Sequence, residues 1–218
     1  MHCQSLRAQL LSAGRFVVLL AFAACLTACE TTVRIPGLSF AFPESAPAFV
    51  SATHSPDAIA VAAPTDGRAK YLGRNVAGSD WHSCMVDTLP EGELPDLVRG
   101  RIVEALGKSR MFASVESAAA PVPWTLDSEI QVFCSQTRGF VFRRVAGLVG
   151  IKFTLKKGGK VVSEQMVERV VTDADPEFTG AQVSTVEQAM RRAMADTLRV
   201  VLTNELGQME KAVHETGG

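Results

Sequence analysis

The sequence predicts an α+β fold: a small, mostly antiparallel sheet of about four strands, with a long central hairpin, packed against two helices. Three observations predict it. Two long runs of alternating apolar residues flank the turn Lys-Lys-Gly-Gly-Lys at 156–160. An amphipathic helical pattern with Pro95 in its first turn precedes these runs. A long Pro-free helical pattern follows them, so helices are expected on both sides of the strands along the chain.

The first 28 residues have the three parts of a secretory signal. Arg7 and Arg15 form a basic start, Phe16–Leu26 is apolar, and small residues follow. The run 16–28 has 13 residues, whereas a helix that spans a membrane needs about 20. We therefore expect a signal peptide rather than a transmembrane helix.

The end of this segment, Leu26-Thr27-Ala28-Cys29, resembles the lipobox of bacterial lipoproteins. The resemblance implies that the Cys29 sulfur takes a diacylglycerol, that cleavage makes Cys29 the first mature residue, and that its amine is then acylated. Cys25, after Ala23-Ala24, is a second possible site, but Phe22 stands there where Leu is favoured. No other cofactor is expected.

Composition divides the rest of the chain into a tether and one domain. Residues 29–57 are rich in Ala, Ser and Pro, which is typical of a tether, although apolar residues such as Phe49 leave open whether part of it packs on the domain. We expect a single periplasmic domain at 58–213 and a short tail at 214–218.

The first part of the domain is predicted as a strand, a loop and a helix. Ala58 to Ala63 reads as a short buried strand, and Pro64 ends it. Residues 65–93 read as loop, which Trp81 and Cys84 are expected to pin to the core. The first helix is predicted over Pro95 to Ser109, after which Phe112 and Val115 lead into the sheet.

Three long strands and a helix are predicted for the remainder. In the first strand one side carries every second residue from Trp124 to Cys134, which places Cys134 on the core face. The second strand alternates from Val145 to Leu155, and its partner runs from Val161 to about Thr172. The capping box Ser184-x-x-Glu187 then predicts the start of a helix over about 185–213.

Charge and motifs exclude several classes of function. Without residues 1–28 the chain carries 20 basic and 23 acidic residues, which does not indicate a nucleic-acid surface. Phosphate-loop, nucleophile-elbow and zinc-binding motifs are missing, and His54, His82 and His214 have no second ligand at metal spacing. We therefore predict no catalytic site and no metal site.

Two groups of acidic residues have the residue types of a possible metal or catalytic site. Asp173, Asp175 and Glu177 supply hard oxygens for Ca²⁺ or Mg²⁺, but Asp followed by Pro favours a turn. The carboxylates of Glu129, Glu164 and Glu168 could serve glycan cleavage, but a solvated strand face is the favoured interpretation.

Basic residues on the central hairpin give an alternative binding function. Arg138, Arg143 and Arg144, with four lysines at 152, 156, 157 and 160, concentrate positive charge there. Each such group near an anionic surface contributes about 1 kcal/mol, so this face could bind lipid headgroups, lipopolysaccharide or glycan. A solvated face is again the favoured interpretation.

The body resembles two related groups of envelope lipoproteins, the YajG-like outer-membrane lipoproteins and the auxiliary lipoproteins of ABC-type envelope transporters. The similarity covers about Ala58 to Glu210 and is carried by Leu97–Phe112 with Val115, Leu126–Phe133 and the helix from Val186; Asp66 and Arg68 with Tyr71-Leu72-Gly73 resemble the YajG-like group. It implies a non-enzymatic lipoprotein that acts through an envelope protein partner. Glu30, rather than Asp, after Cys29 implies export to the outer membrane.

Cys84 and Cys134 are the two cysteines left after processing and lipidation, and the periplasm is oxidising, so we predict that they form a disulfide. Two buried thiols are the alternative. Closing a loop of 50 residues would stabilise the fold by about 4 kcal/mol in the chain-entropy model. A peptide map without reductant should show the linked peptides; two alkylated thiols would contradict the pairing.

Overall fold

The structure, a computed structural model, describes residues 30–31, 49–83, 93–117, 121–138, 144–174 and 183–216. Its strands are β1 (Glu30–Thr31), β2 (Ser55–Val61), β3 (Thr65–Asp66), β4 (Phe112–Ser117), β5 (Trp124–Arg138), β6 (Arg144–Lys157) and β7 (Lys160–Ala174). The helices are α1 (Leu94–Ser109) and α2 (Val183–Glu215), and a short 3-10 helix covers Arg68–Tyr71.

The sheet is mixed, with the main strand order β4-β2-β5-β6-β7. The long strands β5, β6 and β7 are antiparallel, as predicted. In contrast, β2 runs parallel to both of its neighbours, β4 and β5. The prediction of a mostly antiparallel sheet of about four strands is therefore wrong in the direction of β2 and in the number of strands. β2 and β4 are parallel because α1 carries the chain between them, as the crossover that parallel strands need.

Both helices cover one face of this sheet and enclose the main core. α2 packs on β6, β7 and β5, while α1 packs on β2 and β4 and also contacts α2. The long helix begins at Val183 rather than at about 185, so Ser184 lies within its first turn. Within the described part of the chain, neither helix is long and apolar enough to cross a membrane.

A β-bulge in β5 changes which side chains face the helices. Ile130 pairs with Ile151 but Val132 pairs with Gly150, so Gln131 is an extra residue in β5. Before the bulge the even-numbered side chains, such as Ile130, belong to the main core. After it Phe133 does, whereas Val132 and Cys134 belong to a second apolar cluster. The prediction that Cys134 shares a face with Trp124 is wrong because of this single inserted residue.

Part of the predicted tether packs on the domain. Phe49 packs against the main core, and Ser51 N donates to Ser109 O at 2.9 Å. Glu210 Oε1 on α2 accepts hydrogen bonds from Ser51 Oγ at 2.7 Å and from the amides of Ala52 and Thr53. These bonds, that of Ser51 first, lower the pKa of Glu210 and so favour its charged form. The predicted boundary at 58 falls inside β2.

Gly147 lets α2 approach β6 at backbone distance. A Cβ at Gly147 would lie 2.5 Å from the carbonyl carbon of Ala193 and 2.6 Å from Thr197 Oγ1. The hydroxyl of Thr197 donates to Gly147 O at 3.1 Å, a buried contact between helix and strand. Any side chain at 147 would therefore push the helix away from the sheet.

Gly147→Ala should destabilise the fold by about 2 kcal/mol, because the added methyl overpacks a contact made by backbone atoms. Urea unfolding of both proteins, monitored by circular dichroism, measures the difference. Gly100→Ala is the control: it lies inside α1, nothing stands within 4 Å of the new methyl, and Ala favours a helix over Gly by up to about 1 kcal/mol. Equal stability of the two variants would refute this role for Gly147.

Candidate functional site

Residues 67–83, here named the covering loop, lie over one half of the sheet face that is opposite the helices. The second apolar cluster fills the space beneath this loop and consists of Val76, Trp81, Val132, Cys134, Ala146 and Leu148, with Val170 at its side. Trp81 is 6% exposed. The prediction that this tryptophan pins the loop is confirmed, although it does so against a separate cluster on the far side of the sheet.

Backbone hydrogen bonds and one tight turn give the loop its shape. Gly67 N donates to Ile130 O at 2.9 Å, and Gln136 Nε2 donates to His82 O at 2.7 Å. Val76 N donates to Trp81 O at 2.9 Å across a turn in which Ala77 and Gly78 both have positive φ. The loop is thus fixed to β5 at both ends.

An ion pair between Arg74 and Glu168 ties the loop to β7. Glu168 Oε1 accepts from Arg74 Nη2, and its Oε2 accepts from Ala77 N at 3.1 Å. The Arg74 guanidinium also lies 5.1 Å from the ring centroid of Tyr71. Both charged side chains are largely shielded, with 33% and 16% exposure. Sequence patterns could not find this pair, because its members lie 94 residues apart.

The three glutamates considered for glycan cleavage are all ion-paired. Glu129 binds Lys70 Nζ at 3.2 Å, Glu164 binds Lys152 Nζ at 3.0 Å, and Glu168 binds Arg74. Their interpretation as freely solvated carboxylates is therefore wrong for Glu168, which helps to hold the covering loop.

Asp66 and Arg68, part of the resemblance to YajG-like proteins, form a local ion pair at the start of the loop. Arg68 Nε lies 2.9 Å from Asp66 Oδ1, and Nη2 lies 2.7 Å from Oδ2. The guanidinium lowers the pKa of Asp66, first through the side-chain hydrogen bond. The pair orders the turn between β3 and the 3-10 helix.

The proposed basic face divides into two distant groups. Arg138 ends β5 and pairs with Arg144 at the start of β6, whereas Lys157 lies at the other end of β6. Thirteen steps of about 3.3 Å along the strand separate the two ends by about 40 Å. Arg143 lies outside the described residues. The lysines and arginines therefore do not form the single face that their closeness in sequence indicated.

Two of the lysines are engaged within the fold. Lys156 Nζ lies 2.5 Å from Asp127 Oδ2, and Lys157 Nζ lies 4.8 Å from the ring centroid of Trp124. Lys152 has the partner Glu164 described above. At this end of the hairpin Lys152, Lys156 and Lys157 are therefore engaged in intramolecular contacts, whereas Lys160 is exposed.

A depression of about 350 Å³ lies on the uncovered half of the same sheet face. It sits beside the break between β2 and β3, and its lining consists of Ala62, Ala63, Thr65, Asp127, Ser128, Glu129, Lys152 and Thr154. Its three charged residues each have an oppositely charged partner, so a ligand there would have to displace an ion pair.

Several predicted sites lie outside the described residues. These include Cys29, Cys84, and the acidic cluster at 175–177. Cys134 is fully buried in the second cluster, and Ser83, next to Cys84 in the sequence, is also buried. The disulfide stays a prediction, because Cys84, its other member, lies outside the described residues. Among the described residues, His, Cys, Asp and Glu do not cluster in groups of three.

Glu205 is a buried carboxyl that sequence analysis missed. It lies on α2 one helical turn from Val201 and from Met209, so it falls within the apolar stripe, and it is 3% exposed. Its Oε2 has no hydrogen-bond partner among the described residues. Burial raises the pKa of Glu205 from 4.5 to about 7. The signal in the sequence was a charged residue at core spacing within the helix.

Comparisons with known proteins identify the fold. The sequence matches no protein-family model and no curated protein. The crystal structure of a Xanthomonas campestris protein of family DUF330 has a TM-score of 0.54 to this structure. The two sequences are 16% identical, and the match covers 86% of this chain and 96% of that one. The two proteins share the fold.

Looser likenesses include proteins described as lipoproteins. A minor lipoprotein from Acinetobacter baumannii has a TM-score of 0.37 and 8% identity, over 75% of this chain and 94% of that one. At this level the likeness does not establish a common fold.

Glu205→Gln should remove a pH-dependent loss of stability. Between pH 4.5 and 7 the unfolded chain releases the Glu205 proton while the folded chain retains it, so rising pH destabilises the fold. A shift of this size corresponds to about 3 kcal/mol. The unfolding free energy should therefore fall by about 3 kcal/mol less between pH 4 and pH 8 in the variant than in wild type. Glu215→Gln, an exposed position on α2, is the control, and identical pH profiles for wild type and Glu205→Gln would contradict the prediction.

Proposed function

We propose that the chain is a non-enzymatic lipoprotein of the bacterial cell envelope, anchored by acyl chains on Cys29, that acts by binding an envelope protein partner. The observation that carries the proposal is Leu26-Thr27-Ala28-Cys29 at the end of an apolar run too short to span a membrane. Two or more acyl chains make such anchoring stable. Glu30 in the second mature position supports the outer membrane as its site.

The start of the mature chain supports a body that is held close to the membrane. Glu30, the residue after the proposed anchor, lies in β1 and pairs with Arg138 of β5. Thr31 pairs with Thr137 of the same strand. The anchor would therefore emerge at the end of the sheet where β5 ends and β6 begins. Residues 49–53 pack on the helices as well, so the chain from Cys29 to β2 is attached to the domain at two places.

The polar contacts of the domain support binding over catalysis. The carboxylates that could have served acid–base chemistry instead hold the covering loop or cross-link strands, as Glu168 does with Arg74. A domain in which these carboxylates form internal contacts is suited to present a surface rather than to transfer protons. Screening the purified protein for hydrolysis of peptidoglycan and phospholipid tests the enzymatic alternative.

Mass spectrometry of the membrane fraction tests the anchor. The N-terminal peptide should begin at Cys29 and carry diacylglycerol and an amide-linked acyl chain. Cys29→Ser should leave the membrane fraction without processed lipoprotein, whereas Cys25→Ser, the matched control, should leave anchoring unchanged. An unmodified peptide that starts upstream of Cys29 would refute the proposal.

Crosslinking in intact cells, followed by purification from solubilised membranes, tests the partner. An envelope protein should co-purify with this protein at a constant ratio from wild-type cells. The ratio should fall with Cys29→Ser, because the variant is no longer held at the same membrane surface as its partner. A protein that purifies alone from crosslinked cells would count against the partner-binding role.

A further inference from the structure

Strand β7 leaves a long sheet edge open. It is the last strand of the main order, and its outer side has no strand partner within the described residues. It has 15 residues, whereas β4, at the opposite edge, has 6. An edge of this length presents a row of backbone N–H and C=O groups that can pair with another strand.

The edge carries one of the protections that sheets normally use, charged side chains such as Lys160, Glu164 and Arg169, but lacks another. β7 contains no proline. Two of the four exposed large apolar side chains among the described residues belong to it, Val161 and Met166, at 56% and 40% exposure. Gln165 between them is also exposed. The strand is thus both accessible and partly apolar at its surface, which favours pairing.

We propose that β7 pairs antiparallel with β7 of a second copy of this chain, so that one continuous sheet crosses a two-fold axis. The axis must be perpendicular to the sheet, because only that operation places two identical strands side by side and antiparallel. Side chains directly opposite each other then point to the same face. The possible registers are therefore limited to those in which one residue of β7 opposes its own copy.

Charge selects one register among the three that pair at least 13 of the 15 residues of the strand. With Val167 on the axis, Gln165 opposes Arg169 and Met166 opposes Glu168, so like charges do not oppose each other directly. Moving the axis to Met166 would set Glu164 against Glu168 of the other copy. Moving it to Glu168 would set that residue against its own copy. Like charges directly opposite destabilise a strand pair, so Val167 is assigned to the axis.

The same register agrees with burial on the two faces. Val167 opposes Ile151 of β6 and is 7% exposed on the helix-covered face. A second Val167 across the axis would extend that core. Met166 on the other face would be covered in part by Glu168 of the second copy, whose carboxylate is already held by Arg74.

A disulfide exchange experiment on the purified processed protein tests the register. Gln165→Cys and Arg169→Cys are made separately, and each is oxidised alone and then mixed with the other. The mixture should give a covalent dimer, because positions 165 and 169 oppose each other. Each variant alone should give little, because its two cysteines would stand about 13 Å apart, beyond disulfide reach. Wild-type protein oxidised in the same way shows how much covalent dimer the native cysteines form by themselves.

A charge swap at Gln165 tests the same contact without oxidation. Gln165→Glu should strengthen dimerisation about two- to tenfold through two new pairs with Arg169, and Gln165→Arg should weaken it by a similar factor. Sedimentation equilibrium measures both. The side chain is exposed on the single chain, so unfolding free energies should stay close to wild type.

The inference does not depend on the lipid anchor, so a Cys29→Ser protein must behave in the same way. A monomer at all concentrations, or equal crosslinking of each variant alone and in the mixture, would overturn it. Binding of an extended segment of another protein at β7, with the chain itself monomeric, would overturn it as well.

Discussion

The single bulge at Gln131 in β5 determines the layout of the domain. Without the extra residue, Val132 and Cys134 would continue the face of Ile130 toward the helices, and Phe133 would lie on the opposite face. The bulge divides β5 in two: the first half serves one core, and Val132 and Cys134 begin another on the far side. The second core requires a cover, and the covering loop supplies it with Trp81.

The two faces of the sheet are closed by different physical means. On the helix face, the contact at Gly147 brings backbone against backbone, so packing density fixes the position of α2. On the other face a small apolar cluster is sealed by the ion pair of Arg74 with Glu168. A partly shielded ion pair of this kind is well suited to specify where a loop lies. On the uncovered half of that face, Asp127 pairs with Lys156 and Lys152 pairs with Glu164 across neighbouring strands.

Residues that precede β2 are attached to the domain at two places, in β1 and at 51–53. A free tether would let the body diffuse within its reach of the membrane. Here Glu30 joins the sheet and Glu210 binds the backbone at 52–53, so the proposed anchor at Cys29 would be coupled to the body. The open β7 edge lies two strands away from β5, where the chain start is attached, and stays accessible for association in the plane of the sheet.

Hydrophobic periodicity and the positions of Gly and Pro were sufficient to predict the long elements. Both helices, the β6–β7 hairpin and the alternating face of β6 lie where the pattern placed them. The signal peptide and the acylated Cys29 stay predictions, which depend on local composition alone. Only the tertiary structure decided the parallel placement of β2, the face of Cys134 and the partner of Glu168. Those outcomes depend on contacts between distant segments and on one unpaired residue, Gln131, for which local propensity carries no signal.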